Sequence, residues 1–314
     1  MQRILDPAQI EAFAERSVPR VRLPNPASLF ARRAERLRAL SEKHSLGDYL
    51  RLMAAVADAQ QAQLDTLRAA PESESFARHT AQQIALAHAH RMPLLQAGGW
   101  PRQVRWQTVL NELCASVAAL PGFPAGVRAV CRRIGASPEA GIEAQARLLV
   151  AGRADGIDAE AAPFLVAALQ VYWAAMTTTL KVGEVAQIDV PGVCPVCGSL
   201  PVSSIVRSDK HSQGYRYLHC GLCATEWHMV RITCSHCLGN ESIAYHSIED
   251  GSEAVRAESC GKCHTYRKIL YQEKDVNVEP VADDLASVAL DLLMSEEGFH
   301  RGSGNPLLWQ NTET

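Results

Sequence analysis

Eight of the ten cysteines fall into four Cys-x-x-Cys pairs: Cys194/Cys197, Cys220/Cys223, Cys234/Cys237 and Cys260/Cys263. The first pair precedes the second by 26 residues, and the third precedes the fourth by 26. A shift of 40 carries Cys194 onto Cys234 and Cys220 onto Cys260, and with them Arg216 onto Arg256, Gly221 onto Gly261 and Thr225 onto Thr265. The chain therefore carries two copies of one small module, and its chemistry lies at thiolates. Four thiolates make a tetrahedral shell for one metal ion, with bonds of roughly 2.3 Å for zinc. The spacing assigns Cys194, Cys197, Cys220 and Cys223 to one site. Cys234, Cys237, Cys260 and Cys263 form the other. A crossed pairing is the alternative, disfavoured because a duplicated unit should carry a complete site.

Two cysteines two residues apart can wrap one side of a metal in a tight turn. Pro195 and Gly198 suit such a turn, since Pro fixes φ and Gly tolerates positive φ. Gly221 and Gly261 are expected to serve the returning turns in the same way. Between the turns, residues 200–206 and 215–218 read as strands, as do 242–248 and 254–257 in the second copy. Further strands are expected at 226–232 and 266–271. The 22 residues between pairs slightly exceed the about 15–20 of the usual four-cysteine zinc spacing. Six of eleven histidines lie here: His211, His219, His228, His236, His246 and His264. Eight cysteines already fill two tetrahedra, so none is needed as a ligand.

Two other uses of these cysteines are disfavoured. The start of the chain has no apolar signal core, which points to a reducing, cytoplasmic setting rather than disulfides. A thioredoxin-like dithiol belongs near a βαβ pattern, whereas these pairs sit on β ribbons. Cys114 and Cys131 lie on apolar helical faces and read as core. Net charge is −3, from 31 Lys+Arg against 34 Asp+Glu. Residues 191–275 hold nine of each sign, so the basic footprint of a nucleic-acid binder is missing. No apolar run approaches the length of a membrane span.

These sites need elements to present them. The first 190 residues read as helices. Asn25-Pro26 signals a start, with Asn as cap and Pro at the first helical position. Helices are expected at 48–67, 74–90, 104–120, 127–134 and 138–150, the last capped by Ser137. Asp158 should cap a long apolar helix reaching 180. Asp283-Asp284 should cap a final helix over 285–296, with Leu285, Val288, Ala289, Leu292 and Leu293 inward and a polar extended tail beyond. The basic run 32–38 reads as a solvated face, with a docking surface as its alternative. No nucleophile elbow, phosphate loop, dinucleotide fingerprint or zinc-protease motif occurs, so no enzyme is expected. The fold class is α+β. A helical domain (1–190) precedes two tandem rubredoxin/zinc-ribbon-like modules (191–275, split into 191–232 and 233–275) and a C-terminal helix and tail (276–314).

Several segments in this order resemble the formate dehydrogenase accessory protein family FdhE. They include Arg32-Arg33-Ala34-Glu35-Arg36-Leu37 with Leu46-Gly47-Asp48-Tyr49-Leu50-Arg51, then Cys194-Pro195-Val196-Cys197-Gly198-Ser199-Leu200-Pro201 and Cys223-Ala224-Thr225-Glu226-Trp227-His228. Glu258-Ser259-Cys260-Gly261-Lys262-Cys263 and Ala282-Asp283-Asp284-Leu285-Ala286-Ser287 complete it. The resemblance implies a cytoplasmic maturation factor that contacts the catalytic subunit of a respiratory formate dehydrogenase before export. It also implies rubredoxin-like knuckles with the eight cysteines as ligands and iron as the metal, zinc being the alternative.

Overall fold

The computed structural model describes residues 18–70, 76, 79–103, 105–153, 155–210, 212–249 and 251–308. The starts of the expected helices at 74 and 104, His211 and the last six residues lie outside these. Among the described residues seven α-helices come first: α1 Leu29–Ser41, α2 Gly47–Ala69, α3 Ala81–Ala89, α4 Arg105–Ala119, α5 Ala125–Ala136, α6 Glu139–Val150 and α7 Ala162–Thr177. Every residue of α7 except Val166 is buried. A helix apolar all round belongs in a core, and α2, α4 and α6 pack around it. The apolar faces of α2 and α4, among them Leu50, Met53, Leu64, Trp106 and Leu113, are buried.

Several helix starts differ from expectation. Asn25 Oδ1 accepts from Ala27 N–H and makes a turn, so α1 begins three residues after Pro26. Helix α3 begins late, where the Thr80 hydroxyl and Gln83 side chain satisfy each other's backbone N–H groups in a capping box. Ser137 does not cap α6. Its hydroxyl instead donates back to Arg133 O. Asp158 Oδ1 accepts from Glu160 and Ala161 N–H and so closes the turn ahead of α7 rather than the helix itself. Helix α7 stops at Thr177, short of 180.

Among the described residues eight strands form one sheet, seven of them in the order β1-β4-β3-β2-β7-β6-β5. They are β1 Val21–Arg22, β2 Pro201–Val206, β3 Arg216–Cys220, β4 Glu226–His228, β5 Ile243–His246, β6 Val255–Cys260, β7 Thr265–Tyr271 and β8 His300–Arg301, the last pairing with β7. Each module contributes an antiparallel three-stranded unit, β2-β3-β4 and β5-β6-β7. The first strand of one unit joins the last of the other, because β2 and β7 pair in parallel with Ile205 opposite Leu270. The modules thus share one sheet instead of forming separate lobes. The expected strand 226–232 ends at His228, and beyond it Ile232 takes positive φ.

The final helix is broken into α8 Ala282–Ala286 and α9 Val288–Glu296. The Lys268 ammonium donates to the carbonyls of Asp284 and Ser287, which interrupts the helical ladder there. The break shifts the phase, so Leu290 and Met294 are buried while Leu292 and Leu293 are exposed. Nor is 299–308 an extended tail. Strand β8 pairs, Asn305 donates to Val281 O and Asp284, and Leu307 is fully buried.

Candidate metal centre

Each Cys-x-x-Cys turn has one backbone design. The first cysteine's N–H donates to the carbonyl five residues on, as in Cys194 to Ser199, Cys220 to Thr225 and Cys234 to Gly239. The residue after the second cysteine then takes positive φ: Gly198 at 76°, Ala224 at 57°, Leu238 at 61° and His264 at 54°. Only one of the four is glycine. Gly221 and Gly261, expected to supply that conformation, do not adopt it. Gly261 serves close approach instead, since a Cβ there would lie 2.9 Å from the Ser242 side chain.

These turns bring the eight sulfurs into two groups, Cys194/Cys197/Cys220/Cys223 and Cys234/Cys237/Cys260/Cys263, with all members of a group within 4.8 Å of one another. The grouping is within modules, not crossed. The closest separations run between turns: 3.5 Å for Cys194–Cys223, 3.4 Å for Cys197–Cys220, and 3.7 Å for both Cys234–Cys263 and Cys237–Cys260. A tetrahedron with metal–sulfur bonds of about 2.3 Å has sulfur edges of about 3.8 Å. No disulfide is present among the ten cysteines. The described histidines stay outside both groups.

The polar surroundings also suit thiolates. The N–H groups of Leu222 and Cys223 point at Cys220 Sγ, and those of His236 and Cys237 at Cys234 Sγ. Burial pushes the Cys194 thiol up, with the neighbouring sulfurs adding to it. Burial likewise drives Cys234 up to about 12. Cys263 moves the other way, to about 7: burial opposes the shift, but hydrogen bonds from Thr265 and the adjacent sulfurs outweigh it. Four thiolates held this close repel one another unless a cation sits among them. The donor set therefore fits a soft divalent ion, zinc or iron.

The two groups differ in setting. All four cysteines of the first are buried within the helical core. Leu95 and Ala97 N–H donate to Val196 and Cys197 O, and Gln170 of α7 donates to Gly221 O. In the second, Cys237 and Cys263 are part-exposed.

Sequence reading missed the charged residues around the first group. Glu226 accepts from Arg207 and from His219 Nδ1, and its carboxyl is held well below the usual range; burial opposes this, but Arg207 and His219 prevail. Arg33 and Arg36, read as a solvated face, reach Glu279 and Asp283. Their signal was available: Arg33 lies three residues after Phe30 and four before Leu37, on the apolar side of α1.

Residues 18–189 match the FdhE N-terminal domain, 193–231 the central domain and 232–308 the C-terminal domain. The chain belongs to the FdhE family. It is 41% identical over 98% of its length to a protein FdhE homolog of Cronobacter sakazakii, covering 97% of that protein. It is 42% identical to protein FdhE of Salmonella paratyphi A, over 93% of this chain and 92% of the relative. The crystal structure of the FdhE protein from Pseudomonas aeruginosa superposes with a TM-score of 0.81 at 39% identity, covering 92% of this chain and 99% of that one. Among the described residues of this FdhE-family chain, no helix is long and apolar enough to cross a membrane.

Proposed function

We propose that this chain is an accessory protein for formate dehydrogenase. It binds the enzyme's catalytic subunit in the cytoplasm before export and assists its assembly into active enzyme. Family membership along the whole chain supports the accessory role. The observation that carries the reading further is the pair of four-sulfur groups built into one sheet and locked to a helical platform. In this reading Cys194, Cys197, Cys220 and Cys223 hold one metal ion, and Cys234, Cys237, Cys260 and Cys263 hold the second. The ions at least stabilise the ribbons, because thiolate sites of this kind supply about 10–16 kcal/mol in zinc-finger peptides. If the ion is iron, it adds a one-electron couple.

The test is retention of the catalytic subunit by the tagged chain from a lysate of cells making formate dehydrogenase. Retention of the unprocessed subunit is expected, together with loss of formate dehydrogenase activity when the accessory chain is deleted. Absence of retention, with activity unaffected by deletion, contradicts the reading.

The part exposure of Cys237 and Cys263 favours a second reading: a rubredoxin-like redox or thiol- and sulfur-handling step carried out on that same subunit. A reversible one-electron couple supports it. A zinc-filled protein that still matures the enzyme rejects it.

A further inference from the structure

The two sulfur groups differ in what holds their first turns. In the first module, Leu95 and Ala97 N–H from the helical part grip Val196 and Cys197 O. The Cys234–Cys237 turn has no such support. Among the described residues its backbone–backbone hydrogen bonds, Cys234 N to Gly239 O and Leu238 N to Cys234 O, stay within the turn. Its flanks are open, with Val230 64%, Ile232 59% and Leu238 45% exposed. Yet Cys234 itself is buried.

Two buried arginines of the sheet reach this turn. Arg216, on β3 of the first module, donates from Nη1 to Thr233 O at 2.8 Å and to Val230 O at 3.4 Å, and its Nη2 lies 3.0 Å from Glu258 Oε2. Arg267, on β7, donates from Nε to Ser235 Oγ at 2.9 Å and from Nη1 to Ser303 Oγ and Pro201 O. The residues on either side of Cys234 are thus each held by a guanidinium. Both arginines line one small cavity together with Cys234 and Cys260. Gly192 packs against the same turn, where a Cβ would lie 2.4 Å from Ser235 O.

The repeat does not reproduce this arrangement. Arg256, the image of Arg216 under the shift of 40, lies over the Tyr271 ring at 5.3 Å, and its Nε is buried without a hydrogen-bond partner among the described residues. Trp227, the image of Arg267, donates to Pro191 O. The second module is complete in its ligands but borrows part of its support from the first.

We propose that Arg216 and Arg267 are the positioning residues of the second metal site, holding the Cys234–Cys237 turn in the geometry that closes the four-sulfur shell. This rests on the reading that Cys234, Cys237, Cys260 and Cys263 hold a metal ion. Groups one shell out from a ligand orient it, and their loss costs about 10–100-fold in metal affinity. Charge acts in the same direction. Four thiolates around a divalent ion leave a net negative charge, which nearby guanidiniums favour and which Glu258 only partly offsets.

The test is the rate at which a chelator removes metal from the loaded full chain, where the part-exposed second site gives the fast phase and the enclosed first site the slow one. Arg216→Met and Arg267→Met should each speed the fast phase by about tenfold and leave the slow phase unchanged. Arg267→Lys should recover part of the loss. Ser235→Ala removes the Arg267 bond without removing a buried charge, so it keeps the test decisive should an arginine variant fail to fold; it should speed the fast phase by a smaller factor. Arg256→Met is the control and should change neither phase. A general loosening of the fold would speed both phases alike. Equal acceleration of both phases, a fast phase unchanged in Arg216→Met, Arg267→Met or Ser235→Ala, or one equally accelerated in Arg256→Met overturns the proposal. A parent chain holding fewer than two ions overturns the metal reading itself, and the proposal with it.

Discussion

Gly198, Ala224, Leu238 and His264 hold equivalent left-handed positions, and only the glycine avoids the roughly 1–2 kcal/mol that such backbone costs other residues. Gly198→Ala should therefore lose about 1 kcal/mol in urea unfolding of the metal-loaded chain, whereas Leu238→Gly should be close to neutral. A larger loss for Leu238→Gly would contradict the turn analysis. This position was half legible: the Cys-x-x-Cys-Gly of the first turn announced it, but three substitutes concealed it elsewhere. Glu226 gives a pH prediction. Its native carboxyl lies below the unfolded value of about 4.3, so its stabilisation is complete above that value and is lost as pH falls through the native one. Glu226→Gln should be less stable than the parent at pH 7, by a gap that holds down to about 4.3 and narrows as pH falls below it. A gap independent of pH would show that Glu226 is not ionised in the fold.

At the scale of elements, helix α1 holds the molecule together through Arg33 and Arg36, which clamp the segment 275–283. Arg33 and Glu279 are both buried. Removing one partner of a buried pair costs about 3–5 kcal/mol, so Arg33→Met should fall by that amount, with faster amide exchange in α8. Adding Glu279→Gln should recover part of the loss; an additive double variant would mean the two do not interact. Helix existence and inward faces were readable from apolar spacing. The ends were not. Asn25, Ser137 and Asp158 are all good capping residues by type, yet each spends its side chain on a neighbouring turn. The break between α8 and α9 depends on Lys268, which comes from a strand and is invisible to any local pattern.

At the scale of the whole molecule, the duplicated modules share a design but not an environment. The first is enclosed by the helical core and the second leaves two of its sulfurs part-exposed. A chelator added to the loaded protein should therefore remove metal in two phases, with the fast phase lost in a Cys260→Ser variant and kept in Cys194→Ser. A single phase would contradict the asymmetry. The repeat itself was plain in the sequence, because the ligand spacing is set by local turns. The parallel β2–β7 seam was not, since strand partners distant in the chain leave no trace in spacing. The central claim is that eight cysteines make two independent four-thiolate metal sites. Its most direct test is metal per chain, with the visible spectrum, on protein purified without oxygen, for the parent and for Cys194→Ser and Cys260→Ser. The account predicts two ions in the parent and one in each variant, with thiolate-to-iron absorption if the metal is iron and no colour if it is zinc. Metal content unchanged in both variants would contradict it.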